Sequence, residues 1–228
     1  MSFGVFFSSP PPLRRCLLLI QFEPAFAAFI QAEMKTDLAH DYQHVLRVVK
    51  NAKQLCQQEA AAEPLIVIPA AWLHDCLSLP KNHPQRSLAS QLAADKAITF
   101  LREIDYPEKY HNKIHHAICC HSYSASITPE TLDAKIVQDA DRLDAIGAIG
   151  IARCLQVSSQ LQRPLYEPND PFCEQRNTDD KTYTLDHFYQ KLLLIKDQMH
   201  CQSAKVEAKK RTLYMHGYLA QLAQEIST

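Results

Sequence analysis

Apolar residues recur at three- and four-residue intervals along most of this chain, the spacing that lays one continuous stripe on a helix. The pattern predicts helices over about 24–34, 41–59, 65–78, 84–103, 107–121, 129–157, 184–200 and 203–226. No segment holds the sustained alternation of a half-buried strand. Prolines mark several of the starts: Pro24, Pro64, Pro84, Pro107 and Pro129 each precede a periodic stretch, and proline is well tolerated at the first helical position. Thr128 ahead of Pro129 is a good N-cap, with Glu130 in the first turn. Pro69 is awkward, because it falls inside the third helix and should kink or delay it. Small residues, Ala145, Gly147, Ala148, Gly150 and Ala152, form a stripe on the sixth. Glycine inside a helix costs about 1 kcal/mol against alanine, so a packing or site reason is expected there.

Two stretches escape the periodicity. Residues 1–20 are Phe-rich, then carry Pro10-Pro11-Pro12, Arg14-Arg15 and a short apolar run; they read as a disordered extension or a start placed too early, leaving 21–228 as one domain. That run lacks the form of a signal peptide and is too short to span a bilayer. Residues 158–183 are rich in Pro, Asp and Asn, and a loop of that length is expected to be mobile or to act as a lid.

Composition narrows the picture. The chain has 228 residues, 46% of them hydrophobic, enough for one well-filled core. Only four are glycine, so no Gly-rich loop can cradle a phosphate, and recognition of one falls to side chains and metal. Scarce glycine beside abundant Ala, Leu, Gln and Lys points to an all-α fold. A net charge of −1 leaves no electrostatic footprint for general nucleic-acid binding. The eight cysteines show no Cys-x-x-Cys spacing and read as free thiols in a reducing, cytoplasmic setting. Membrane association is not expected, and nothing bears on oligomeric state.

The chemistry concentrates in a series of separated residues. His44, the pair His74-Asp75 and Asp141 offer two imidazoles and two carboxylates, a set that leaves positions open for water and suits a hydrolytic divalent metal better than a closed structural zinc site. His40 and His44 share a helix face, and His40-Asp41 is a second His-Asp pair. Asp139, Asp141 and Asp144 compete for the last ligand; Asp141 and Asp144 share a face, Asp139 does not. Fixed cations at Lys81, Arg86, Arg142 and Lys191 are candidates for phosphate contact.

With their surroundings these motifs resemble the HD-domain metal-dependent phosphohydrolases, in particular a small bacterial YpgQ/YedJ-like branch. The resemblance runs from about Phe22 to the C-terminus. It rests on His44 with Arg47-Val48, His74-Asp75 through Pro80 to Arg86, His116 to Ser122, and Gln138-Asp139-Ala140-Asp141-Arg142-Leu143-Asp144 followed by Gly147 and Gly150. It implies one compact bundle of about seven to eight helices. It selects His44, His74, Asp75 and Asp141 as ligands of one divalent ion (Mn, Mg, Fe, Co or Ni), with Asp144, Arg47 and His40 supporting them. His121 and His116 would border the substrate, one of them protonating a leaving oxygen. The implied substrate is a phosphomonoester or phosphoanhydride, a nucleotide foremost, with nucleoside triphosphate cleaved to monophosphate and pyrophosphate. Two alternatives stand beside it: a two-metal member in which His115, His116 or His121 holds the second ion, and a non-catalytic nucleotide sensor. The Gly-Tyr-Pro motif of the cyclic-dinucleotide branch is absent.

Overall fold

Residues 64–73 read Pro-Leu-Ile-Val-Ile-Pro-Ala-Ala-Trp-Leu, apolar on every face, and a helix of that kind must be buried all round. A computed structural model of the chain describes residues 11–34, 41–77, 79, 85–122 and 127–226, without the side chains of 11–16 and 86. In it α3 (Pro64–Leu73) is buried from Leu65 through Leu73. Packed on α3 are α1 (Pro11–Glu33), α2 (Tyr42–Gln58), α5 (His111–His121) and α6 (Leu132–Asp144), with α4 (Ala89–Glu103) against α5. A second pair, α7 (Gly147–Gln160) and α9 (Gln202–Ile226), joins this core through α6 and α2. The short α8 (Asp186–Gln190) leads into a 3-10 stretch, Leu192–Gln198, that lies on α9. Among the described residues there are nine α-helices and no strand, so the all-α expectation holds with one helix more than the upper figure.

The extra helix arises where 129–157 was expected to run unbroken. The chain turns at Ala145 and Ile146, and Gly147 takes a φ of +78°, a left-handed backbone that glycine adopts without steric cost. Three residues on, a Cβ on Gly150 would lie 2.3 Å from the Ala145 carbonyl oxygen. Part of the small-residue stripe therefore serves a sharp reversal between α6 and α7. The α6 N-cap is Thr131, whose Oγ1 accepts from Ala134 N–H at 3.2 Å, and not Thr128.

Other boundaries move for equally local reasons. Helix α1 begins at Pro11, not Pro24, so residues 11–20 are helical where an unstructured extension was expected, and Leu19 is buried. Pro24 and Ile20 both lie on the exposed face, where water can take the carbonyl that Pro24 leaves without a donor. Pro69 deprives Leu65 O of its helical partner in the same way, but in the core. There the Tyr106 hydroxyl donates to Leu65 O at 2.7 Å, and burial pushes the phenol pKa up, keeping the donor protonated. The expected helix over 184–200 is α only from Asp186 to Gln190, because Lys191 leaves helical backbone at φ −137°.

The irregular stretch between α7 and α8 is organised by its own acids. Asp170 accepts backbone N–H groups from Glu174, Gln175 and Arg176 at 2.9–3.1 Å. Arg176 makes two bonds, 2.5 and 2.8 Å, to the buried Asp186. The described cysteines are all unpaired. Among the described residues no helix is long and apolar enough to cross a membrane.

Candidate metal centre

The start of α2, the ends of α3 and α5 and the last turn of α6 converge on one point. Helix α2 starts at an Asp41 N-cap that accepts the His44 N–H at 2.8 Å, so the acid of the second His-Asp pair fixes the entry of the helix that carries His44. His44 is 1% exposed. Helix α3 stops at Leu73; His74 is its C-cap and Asp75 lies in the turn that follows. That stop lets two consecutive residues address one point, which a continuing helix would have aimed about 100° apart. Helix α5 contributes His121 from its last position, and α6 contributes Asp141 and Asp144.

The imidazole tautomers follow from their outer partners. His74 Nδ1 lies 2.8 Å from the Ala71 carbonyl, which can only accept, so Nδ1 carries the proton and Nε2 a lone pair. His44 Nδ1 donates in the same manner to Asp144 Oδ2 at 2.7 Å. The two inward nitrogens, His44 Nε2 and His74 Nε2, stand 3.3 Å apart. Around them, Asp75 Oδ2 is 3.6 Å from His44 Nε2 and 3.5 Å from His74 Nε2, and Asp141 Oδ1 is 3.4 and 4.0 Å away. Two inward imidazole nitrogens this close among carboxylates need a positive charge between them, a shared proton or a metal ion, and the donor set fits a divalent ion held by nitrogen and oxygen. His44, His74 and Asp75 form the one cluster of metal-competent side chains found among the described residues. Cys76, next in sequence, points away to Ala93 O at 3.2 Å, and burial raises its thiol to about 12.

The carboxylates and imidazoles of the cluster shift one another strongly. Burial opposes a charge on Asp75, yet His74, His121 and His44 hold its carboxyl well below the usual range. Asp141 is likewise lowered against burial, chiefly by His44. Burial pushes His74 down, keeping it neutral as a ligand must be. Burial would lower His44 too, but Asp141, Asp144 and Asp75 outweigh it and raise its pKa well above the ordinary value.

Behind His44, Asp144 is 1% exposed and fully engaged. It accepts from Arg47 at 2.6 and 3.1 Å and from Arg153 at 2.8 Å, besides His44. Arg153 on α7 was missed from the sequence; the available signal was a lone cation in the otherwise apolar run Gly147 to Leu155. His121 reaches the centre through Nε2, 3.4 Å from Asp75 Oδ1, while its Nδ1 donates to Ile118 O at 2.6 Å.

The structure does not bring the remaining candidates to this point. His116 lies about 140° around α5 from His121, and its Nε2 accepts the Glu130 N–H at 3.2 Å. His115 pairs with Asp95 on α4 at 3.0 Å, so neither histidine joins His121 in a second metal site. Arg142 turns from the centre to donate to Gln198 O at 2.5 Å, because it sits about 100° from Asp141 on the helix. Asp139 accepts the backbone N–H groups of His200 and Cys201 at 2.8–3.1 Å, ahead of α9. Lys191 lies near His187, whose pKa its charge helps to lower after burial. Lys81, His40 and the Arg86 side chain lie outside the described residues.

Comparison with known proteins gives the family. A family profile described as HD domain matches residues 41–146. The Bacillus subtilis protein YpgQ is 30% identical over 191 residues, covering 82% of this chain and 84% of the relative. The crystal structure of YpgQ in complex with ADP superposes with a TM-score of 0.70 at 28% identity, covering 89% of this chain and 97% of that one. An HD-superfamily hydrolase from Bacillus thuringiensis gives 0.71 at 31% identity, over 92% and 99%.

Proposed function

The chain belongs to the HD-domain family, and on that premise we propose that it is a divalent-metal-dependent phosphohydrolase acting on a nucleotide. The observation that carries this reading is the pair of inward imidazole nitrogens at 3.3 Å, set among Asp75 and Asp141. His44, His74, Asp75 and Asp141 would hold the ion. A bound divalent cation supplies Lewis acidity that acidifies water and polarises a phosphoryl oxygen.

The protein's own groups do the rest. Asp144 keeps the His44 proton on Nδ1 and leaves Nε2 for the centre. Arg47 and Arg153 share that single carboxylate, so two guanidinium charges face one negative group beside the site. Fixed positive charge beside the centre favours an anionic substrate and stabilises charge that develops on phosphoryl oxygens. His121 is oriented by its Nδ1–H, with Nε2 at the centre, where a proton held there can pass to a leaving oxygen. Lys81 and Arg86 are further candidates for phosphate contact. A nucleotide is favoured because YpgQ was crystallised with ADP; the resemblance extends this to release of pyrophosphate from a nucleoside triphosphate.

The test is a screen of phosphorylated metabolites with Mn²⁺ and Mg²⁺, measuring phosphate and pyrophosphate separately. Turnover that requires metal and disappears in Asp75→Ala and His44→Ala, with helical content kept, is the expected result. Near wild-type turnover by metal-stripped and reconstituted Asp75→Ala would refute the ligand assignment. Nucleotide binding without any turnover would favour a sensor.

A further inference from the structure

The carbonyls in the last turn of a helix have no partner inside it. In α5, two of them are taken by side chains. His121 Nδ1 donates to Ile118 O, and Gln138 of α6 donates through Nε2 to Cys120 O at 2.5 Å. Cys120 O belongs to the peptide unit whose nitrogen is that of His121, so Gln138 grips the backbone where the His121 side chain branches off.

Gln138 is 3% exposed, and its orientation is dictated by its neighbours. A carbonyl can only accept, so the amide nitrogen faces Cys120 and Oε1 points the other way. There it meets His200 Nε2 at 2.6 Å, which must then be the protonated nitrogen. Burial lowers the His200 pKa, with Arg142 and two lysines acting in the same direction against Asp139, so the ring is held neutral. The backbone around His200 is itself pinned: its N–H donates to Asp139 at 3.0 Å, and Arg142 donates to Gln198 O. Helix α6 thus works on two faces. Asp141 faces the metal centre and Asp144 backs His44, while Gln138, Asp139 and Arg142 hold the 198–201 segment.

We propose that Gln138 and His200 are positioning residues for His121, forming a His200–Gln138–Cys120 carbonyl relay that fixes the imidazole against Asp75. The proton-donor role of His121 rests on the phosphohydrolase reading; the fixing of its ring does not. A hydrophobic residue at either position removes a link and leaves His44, His74, Asp75 and Asp141 unchanged. A glutamine at 200 retains an N–H donor and should restore the relay.

Two measurements on the full chain decide this. In metal-free protein, nitrogen-edited NMR of the histidine rings follows the His121 Nδ1–H proton. It should exchange slowly in wild type and in His200→Gln, and about tenfold faster or more in His200→Phe and Gln138→Leu. With Mn²⁺ and ATP as the probe, His200→Phe and Gln138→Leu should lower kcat about tenfold or more and leave KM within about twofold. His200→Gln should recover most of that loss. His200 is partly exposed, so His200→Phe carries the test if Gln138→Leu fails to fold. An unchanged His121 proton in His200→Phe overturns the proposal, as does equal loss of kcat in His200→Gln and His200→Phe. Absence of ATP turnover by wild type would count against the phosphohydrolase reading alone, and the NMR comparison would still decide the relay.

Discussion

Asp144→Asn tests how far the metal centre depends on a residue that does not reach it. The substitution keeps the volume and one acceptor oxygen but removes the charge that faces His44, Arg47 and Arg153 at 2.6–3.1 Å. One amide oxygen cannot serve three donors, and the amide N–H₂ must confront at least one of them. Removing one partner of a fully buried ion pair costs about 3–5 kcal/mol. Arg47 and Arg153 are 31% and 18% exposed and can turn partly to water, so a loss of about 2 kcal/mol is expected here. The larger consequence concerns His44. Without a carboxylate at Nδ1 the proton is free to occupy Nε2 and block the metal-facing lone pair. Loss of such an outer partner weakens metal affinity about 10–100-fold. Competition for Mn²⁺ against a fluorescent chelator, with a melting curve and Arg47→Gln as a control for lost charge, measures both effects. Mn²⁺ affinity within about twofold of wild type, with a lowered Tm, would refute the orienting role and leave Asp144 as a brace between α2, α6 and α7.

Three further outcomes are expected. Tyr106→Phe should cost about 1–3 kcal/mol in urea denaturation, because it leaves the Leu65 carbonyl buried opposite Pro69 without a donor; a smaller loss would mean that the helix closes the gap by itself. Gly150→Ala, which in an ordinary helix interior gains about 1 kcal/mol, should instead destabilise by about 1–3 kcal/mol, since the new Cβ meets Ala145 O at 2.3 Å; a raised Tm would contradict the close turn. Burial raises the Asp186 pKa, but Arg176, the Asp179 N–H and Cys173 lower it further, so the folded value lies below the usual carboxylate range. Below about pH 4 the unfolded chain therefore binds the proton first, and stability should fall as the pH drops through the native value. Asp186→Asn should be less stable at neutral pH and show a shallower acid limb in melting curves; an unchanged limb would rule the pair out.

Much of the fold and the cluster of His44, His74 and Asp75 were legible in one dimension. Helical periodicity depends on local spacing alone, so the elements around His44, Trp72, Ile118 and Val137 could be read directly. A metal centre demands particular donor atoms, so His44, His74-Asp75 and Asp141 stand out wherever the chain carries them. What the spacing could not settle depended on distant partners. Pro24 and Pro69 both sit inside helices, one because water serves its orphaned carbonyl and one because Tyr106 does. The break between α6 and α7 depends on a backbone contact between Ala145 and Gly150. Histidines at 115, 116 and 121 looked alike in the sequence, yet only His121 faces the centre, because the helix ends there and the other two turn to α4 and Glu130. Arg142 stood next to a proposed ligand and pointed away, whereas Arg153 and His200 were remote in sequence and connect to the cluster through Asp144 and Gln138. Local sequence determined which helices form and which donors they carry; only tertiary packing decided which side chains meet, because hydrogen bonds and charge pairing act across space and take no account of separation along the chain.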